Sequence, residues 1–117
     1  MEVRELEQLV REALDEIKAE DTVVLDVEGR TPVTDRIVVT TGNSKRHVQA
    51  VARNVVDTAR ARGVRPLGVE GEDTAADWVL IDLGDAVVHV MTAESRDFYR
   101  LERMWEMDDK CASTSSQ

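Results

Sequence analysis

Apolar residues recur along residues 3–18 at three- and four-residue steps: Val3, Leu6, Val10, Ala13, Leu14 and Ile17, with charges between them. That period predicts a helix with one apolar stripe. The pattern then shortens to β-branched runs. TVVLDV, residues 22–27, and RIVVTT, 36–41, read as strands, since branched side chains suit a pleated, half-buried surface. The loop between them carries Gly29 and Pro32. Helical spacing returns from about 44 to 62, where Val48, Val51, Ala52, Val55, Val56 and Ala59 share a stripe. Gly63 stands where a C′ glycine ends a helix. Residues 66–70 fit a short strand with its proline first. WVLIDL, 78–83, and AVVHVM, 86–91, are two more strands, and a third helix is predicted from about 95 to 105, with Phe98, Leu101, Met104 and Trp105 on one side. The order is αββαβββα. It predicts a single α/β (α+β) domain, a mixed sheet of about five strands flanked by helices. The domain covers 1–107, and residues 108–117, ending in CASTSSQ, read as a polar, disordered tail.

Only Gly84-Asp85 separates the last two strands. A two-residue loop with glycine first predicts a type II′ hairpin, and the loop sets the register. Leu83 then pairs with Ala86, Ile81 with Val88 and Val79 with Val90. Cross-strand partners share a face and faces alternate, so these six form an aliphatic core face. The other face pairs Asp82 with Val87, Leu80 with His89 and Trp78 with Met91. Such a mixed face is either covered by a further helix, as in many α/β sheets, or open as a docking surface, where Trp and Met are enriched. On the second reading Trp78, Leu80, Asp82, His89 and Met91 bind a partner, with Glu70 and Asp77 on the rim. Tyr99 on the third helix is the next candidate.

Charge narrows the partner. The 117 residues carry 24 Asp+Glu against 15 Lys+Arg, a net of -9. A chain so acidic is repelled by nucleic acid, where affinity comes from cations meeting phosphates, and no specific DNA binding is expected. It is drawn instead to a basic partner. From Pro66 to Ser95 there is no Lys or Arg, while Glu70, Glu72, Asp73, Asp77, Asp82, Asp85 and Glu94 fall there. Those acids are either an ordinary solvated surface or a patch that steers association. With 3% aromatic residues the core must be aliphatic. Cys111 is the single cysteine, which excludes a disulfide framework and fits a reducing compartment. The charged start MEVRELEQLV reads as neither a signal peptide nor a transit peptide, and no apolar run reaches the ~18 residues of a membrane span. A cytoplasmic location is expected.

Candidate chemistry is sparse. In TTGNSKRHVQA, residues 40–50, Asn43 or Ser44 suits the N-cap of the second helix. A capped helix start beside Lys45 and Arg46 can hold an anion. The plainer alternative is a strand-to-helix turn with solvated cations. The spacing is neither a P-loop nor a G-x-G-x-x-G fingerprint. Asp26 and Glu28 at a strand end could hold a divalent metal or be solvated acids. His47 and His89 lack zinc-site spacing, and Cys111 in the tail supports no Cys–His pair. No catalytic residue, metal or cofactor is expected.

The runs "TTGNSKRHVQA", "RPLGVEGEDTAADWVLIDLGDAVVHV" and "FYRLERMW", taken in order, resemble the ribosomal silencing factor family, also called Iojap-like proteins. The resemblance covers about residues 3–105. It implies a nucleotidyltransferase-like fold without that activity. It further implies binding to the large ribosomal subunit through its fourteenth protein, near an intersubunit bridge. The bound factor would block joining of the small subunit and lower translation when nutrients are short, and a homodimer of the free protein is a further expectation. The chain departs from the family pattern at Arg36, where an aromatic is usual, and at Leu83, Met91 and Thr92. The competing reading is a nucleotide-dependent enzyme on a nucleotidyltransferase-like scaffold. Nucleotide- and metal-dependent thermal stabilisation would mark such an enzyme.

Overall fold

The structure is a computed structural model that describes residues 2–30, 34–71 and 77–99, with side chains through Arg96. Eight elements follow in the expected order: α1 (Val3–Glu16), β1 (Glu20–Asp26), β2 (Arg36–Gly42), α2 (Lys45–Ala61), β3 (Gly68–Glu70), β4 (Trp78–Asp82), β5 (Ala86–Thr92) and α3 (Ala93–Tyr99). The expected run of the third helix through Leu101, Met104 and Trp105 lies outside the described residues, as do the tail and the acids Glu72 and Asp73.

The five strands form one sheet in the order β1-β2-β5-β4-β3. β2 and β5 run parallel at its centre, and the other neighbours are antiparallel, so the sheet is mixed. The β4–β5 register is the one the Gly84-Asp85 loop dictates: Trp78 opposite Met91, Leu80 opposite His89, Asp82 opposite Val87. Gly84 takes φ +89°, which Asp85 does not share. That is the II′ rather than the I′ pattern. Asp82 adds a brace, its Oδ1 accepting from the Gly84 N–H at 2.9 Å.

Both α1 and α2 lie on one face, where Leu6, Leu9, Val10, Ala13 and Leu14 meet Val48, Val51, Val55 and Ala59 over Val79, Ile81, Val88 and Val90. Both helices end in the same way. At α2, Gly63 N–H bonds Arg60 O and Val64 N–H bonds Ala59 O, a Schellman motif with glycine at the left-handed position. At α1, Lys18 N–H bonds Asp15 O and Ala19 N–H bonds Leu14 O. Here the left-handed residue is Lys18, at φ 58°, where a side chain costs about 1 kcal/mol. No described helix is long and apolar enough to cross a membrane.

β1 starts earlier than its apolar run suggests. Asp21 sits at φ 49°, and the register with β2 shifts between Glu20 and Val23. A bulge there admits two acidic residues at the edge of the sheet.

Candidate docking face

Pairing across the whole sheet places the second-face residues in rows. One row runs Val23, Val39, His89, Leu80, Glu70 from edge to edge, and the next Leu25, Ile37, Val87, Asp82, Gly68. Thr41, Met91 and Trp78 make a third. Of the expected partner-binding set, Trp78, Leu80, Asp82 and His89 are thus adjacent and half-buried, with Glu70 exposed at the row's end and Asp77 exposed just before β4. Met91 differs. It is 0% exposed and packs with Val27, Ile37 and Val39 in a second buried cluster. As a surface contact it is corrected: it supports the face from beneath. Part of this face is therefore filled by its own apolar side chains, with Leu25 and Trp78 packed against them. Tyr99 is the last residue of α3, and its side chain lies outside the description.

Within this face Trp78 and His89 act as a unit. The indole Nε1–H donates to His89 Nδ1 at 3.1 Å, and the rings lie 5.8 Å apart at 47°. Indole nitrogen only donates, so Nδ1 carries a lone pair and the imidazole is neutral. Burial disfavours the cation and lowers the His89 pKa from 6.5 to about 4. The imidazole is a fixed hydrogen-bonding member of an apolar surface.

β2 contributes Ile37, Val39 and Thr41, which the hairpin alone does not place on this face. Only the parallel pairing with β5 does so. α3 is moored here as well: Arg96 Nη1 donates to Thr41 Oγ1 at 2.9 Å and to the carbonyl of Asp21.

The other candidates resolve into structure. Ser44 is the N-cap of α2, its Oγ accepting from His47 N–H at 3.1 Å. Asn43 N–H instead donates to His47 Nδ1 at 2.9 Å, while His47 Nε2 lies 2.8 Å from Ile17 O. A carbonyl only accepts, so Nε2 carries the proton. The histidine of the motif thereby ties the end of α1 to the start of α2. Gly42 is required by space: a Cβ would lie 2.8 Å from Val48 Cγ2 and from Val48 N.

Asp26 and Glu28 face a cation of the chain itself. Arg36 Nη1 lies 3.1 Å from Asp26 Oδ1 and 3.6 Å from Glu28 Oε2, and its Nε is 3.1 Å from Glu7 Oε1 on α1. Burial works to lower the Arg36 pKa, but the Glu7 bond and the Asp26 charge outweigh it and raise it. Arg36 thus clamps α1 to the β1–β2 end through carboxylates. Among the described residues no group of three or more His, Cys, Asp or Glu could hold a metal.

Solved structures share this architecture. A crystal structure of a Chromobacterium violaceum protein matches with a TM-score of 0.88 at 42% identity, covering 91% of this chain and 88% of that one. A Bacillus halodurans protein matches with a TM-score of 0.79 at 41% identity, over 87% of this chain and 94% of the other. A Chromobacterium violaceum relative named Ribosomal silencing factor RsfS is 42% identical over 51 residues, 44% of this chain and 42% of that protein. Its Haemophilus influenzae namesake is 40% identical over 46 residues, 39% of this chain and 45% of that protein. The aligned stretches thus span less than half the length of these two relatives. The family model described as "Ribosomal silencing factor during starvation" matches residues 1–117, and the chain belongs to that family.

Proposed function

We propose that the chain is a cytoplasmic, non-catalytic repressor of translation. It binds the large ribosomal subunit through that subunit's fourteenth protein. Once seated, it blocks joining of the small subunit when nutrients are short. Free of the ribosome it pairs as a homodimer. The observation that carries this reading is the second face of the sheet. There Trp78, Leu80, Asp82 and His89 form adjacent rows beside the acidic Glu70 and Asp77. Such a face suits a basic ribosomal protein: the half-buried tryptophan anchors, and the exposed acids steer.

Co-sedimentation with separated ribosomal subunits tests the role: the chain is expected with large subunits and without need of nucleotide. Binding isotherms test the face. Trp78→Ala is expected to weaken binding by at least ~2 kcal/mol, a hot-spot magnitude. Charge reversal at Asp77 is expected chiefly to slow association at low salt. Circular dichroism confirms that each variant is folded. A folded Trp78→Ala that binds like the parent assigns the contact elsewhere, with Tyr99 on α3 next to be tested.

A further inference from the structure

The outer surface of α2 carries a charge pattern opposite to the rest of the molecule. Residues 45–65 hold Lys45, Arg46, Arg53, Arg60, Arg62 and Arg65, against Asp57 as the one acid. Arg46, Arg53 and Arg60 recur every seventh residue. On an α-helix that spacing drifts only ~20° per step, so the three lie in one stripe about 21 Å long, at ~1.5 Å per residue. All three are exposed, as is Arg65. Arg53 and Arg60 line a shallow groove between α2 and β3, with Asp57 and Val69. Arg60 and Arg65 line the next depression, past the α2 C-terminus.

Pairing sharpens the pattern. Acids outnumber cations 24 to 15 in this chain, so a surface arginine has ample chance of a partner. Arg11, Arg36 and Arg62 all have one. Among the described residues, Arg46, Arg53, Arg60 and Arg65 form no ion pair or side-chain hydrogen bond. The stripe is a local cationic field in an acidic protein, and it lies on the helix-covered side of the sheet, away from Trp78 and His89.

We propose that Arg46, Arg53 and Arg60, extended by Arg65, contact backbone phosphates of the RNA of the large ribosomal subunit; this rests on the ribosome-binding role above. A guanidinium matches phosphate geometry in a two-point bond. A row of them along one helix suits a row of phosphates. Net charge does not forbid the contact. At physiological salt, fields are screened within about 8 Å, so a phosphate at the stripe feels the arginines and not the acids across the sheet. Four arginines make too few phosphate contacts to capture free RNA on their own at that salt. The stripe therefore acts once the acidic face has docked on a basic protein. The chain is two-sided in charge, as a surface that presents basic protein beside bare phosphate requires.

The test is the salt dependence of large-subunit binding by the full chain and by the Arg46→Gln/Arg53→Gln/Arg60→Gln variant. All three side chains are exposed, so an unchanged melting profile is expected. Each phosphate contact contributes about 0.7–0.9 to the slope of log K against log[salt]. The variant is expected to bind at least tenfold more weakly at low salt, with a slope shallower by about 2–3. An Arg4→Gln/Lys18→Gln control, off the stripe, is expected to keep the parent's slope. Hydroxyl-radical footprinting identifies the partner: RNA sugars protected by the parent are expected to be exposed with the triple variant. An unchanged affinity and slope would overturn the proposal. So would weaker binding with an unchanged RNA footprint, which would assign the stripe to an acidic protein segment. If the parent itself fails to bind large subunits while remaining folded, the ribosome-binding role falls, and this proposal with it.

Discussion

The two faces of the β4–β5 hairpin come from the same fourteen residues, Trp78 to Met91, and differ in composition at every step. On one, Val79, Ile81, Leu83, Ala86, Val88 and Val90 are at most 6% exposed and meet α1 and α2 in a wholly aliphatic cluster. On the other, one residue over at every step, stand Trp78, Leu80, Asp82, Val87, His89 and Met91. The first face has the composition of a core and nothing else. The second mixes a buried apolar centre with an indole, an imidazole and carboxylates toward the β3 edge. A period of two lets a single hairpin carry two surfaces of different composition: substitutions on the first face are expected to act on folding, and those at Trp78 and its half-buried neighbours on the second to act on binding, as proposed above.

The sharpest way to break that contrast is to truncate matched positions. Ile81→Ala, fully buried over α2, is expected to cost 2–5 kcal/mol of stability. Leu80→Ala, its half-buried neighbour on the other face, is expected to cost about 1 kcal/mol or less, since less surface returns to water. Chemical denaturation reads both, and equal losses would erase the distinction. Acid separates the faces next. Because the His89 pKa is about 4 folded against 6.5 unfolded, the unfolded chain takes up the proton first. Stability is therefore complete above about pH 6.5 and is lost as pH falls toward 4, by at most ~3 kcal/mol. His89→Gln is expected to flatten that window in a pH series of denaturation midpoints. A parallel decline in the variant would assign the loss to carboxylates instead. On the covered side, Ser44→Ala removes the cap of α2 and is expected to cost about 0.5–2 kcal/mol, with large-subunit binding kept by the folded protein. Lys18→Gly, at the α1 terminus, is expected to change the melting temperature least. Relief of the left-handed strain is partly offset by the greater freedom of glycine in the unfolded chain. A loss of stability there would mean that the lysine side chain contributes more than its backbone costs.

The hairpin was legible because its loop is short. With two residues and glycine first, one register satisfies both strands, and every facing pair follows. The ends of α2 were legible too, since Ser44 and Gly63 act within a few residues of themselves. What escaped sequence reasoning is what depends on distant partners. Met91 reads as a surface candidate until β2 is laid beside β5 and brings Val39 against it. Arg36 reads as a missing aromatic until Glu7, Asp26 and Glu28 converge on it. The bulge at Asp21 hid the start of β1, because polar residues at a sheet edge leave no apolar alternation. The arginines of α2 were in plain view. Summing charge over 45–65, rather than over the whole chain, is the signal that would have found them.

The parallel pairing of β2 with β5 governs how the chain reaches this state. Arg36 pairs with Ala86 and Gly42 with Thr92, so the centre of the sheet joins segments from the two halves of the sequence. The entropy of closing that loop must be met before the central ladder forms. As the chain leaves its own ribosome, β1 and β2 emerge with the inner edge of β2 unpaired, and α1 and α2 cover no completed sheet until β5 arrives. No portion that stops short of β5 contains the whole core, so folding is deferred until β5 has emerged.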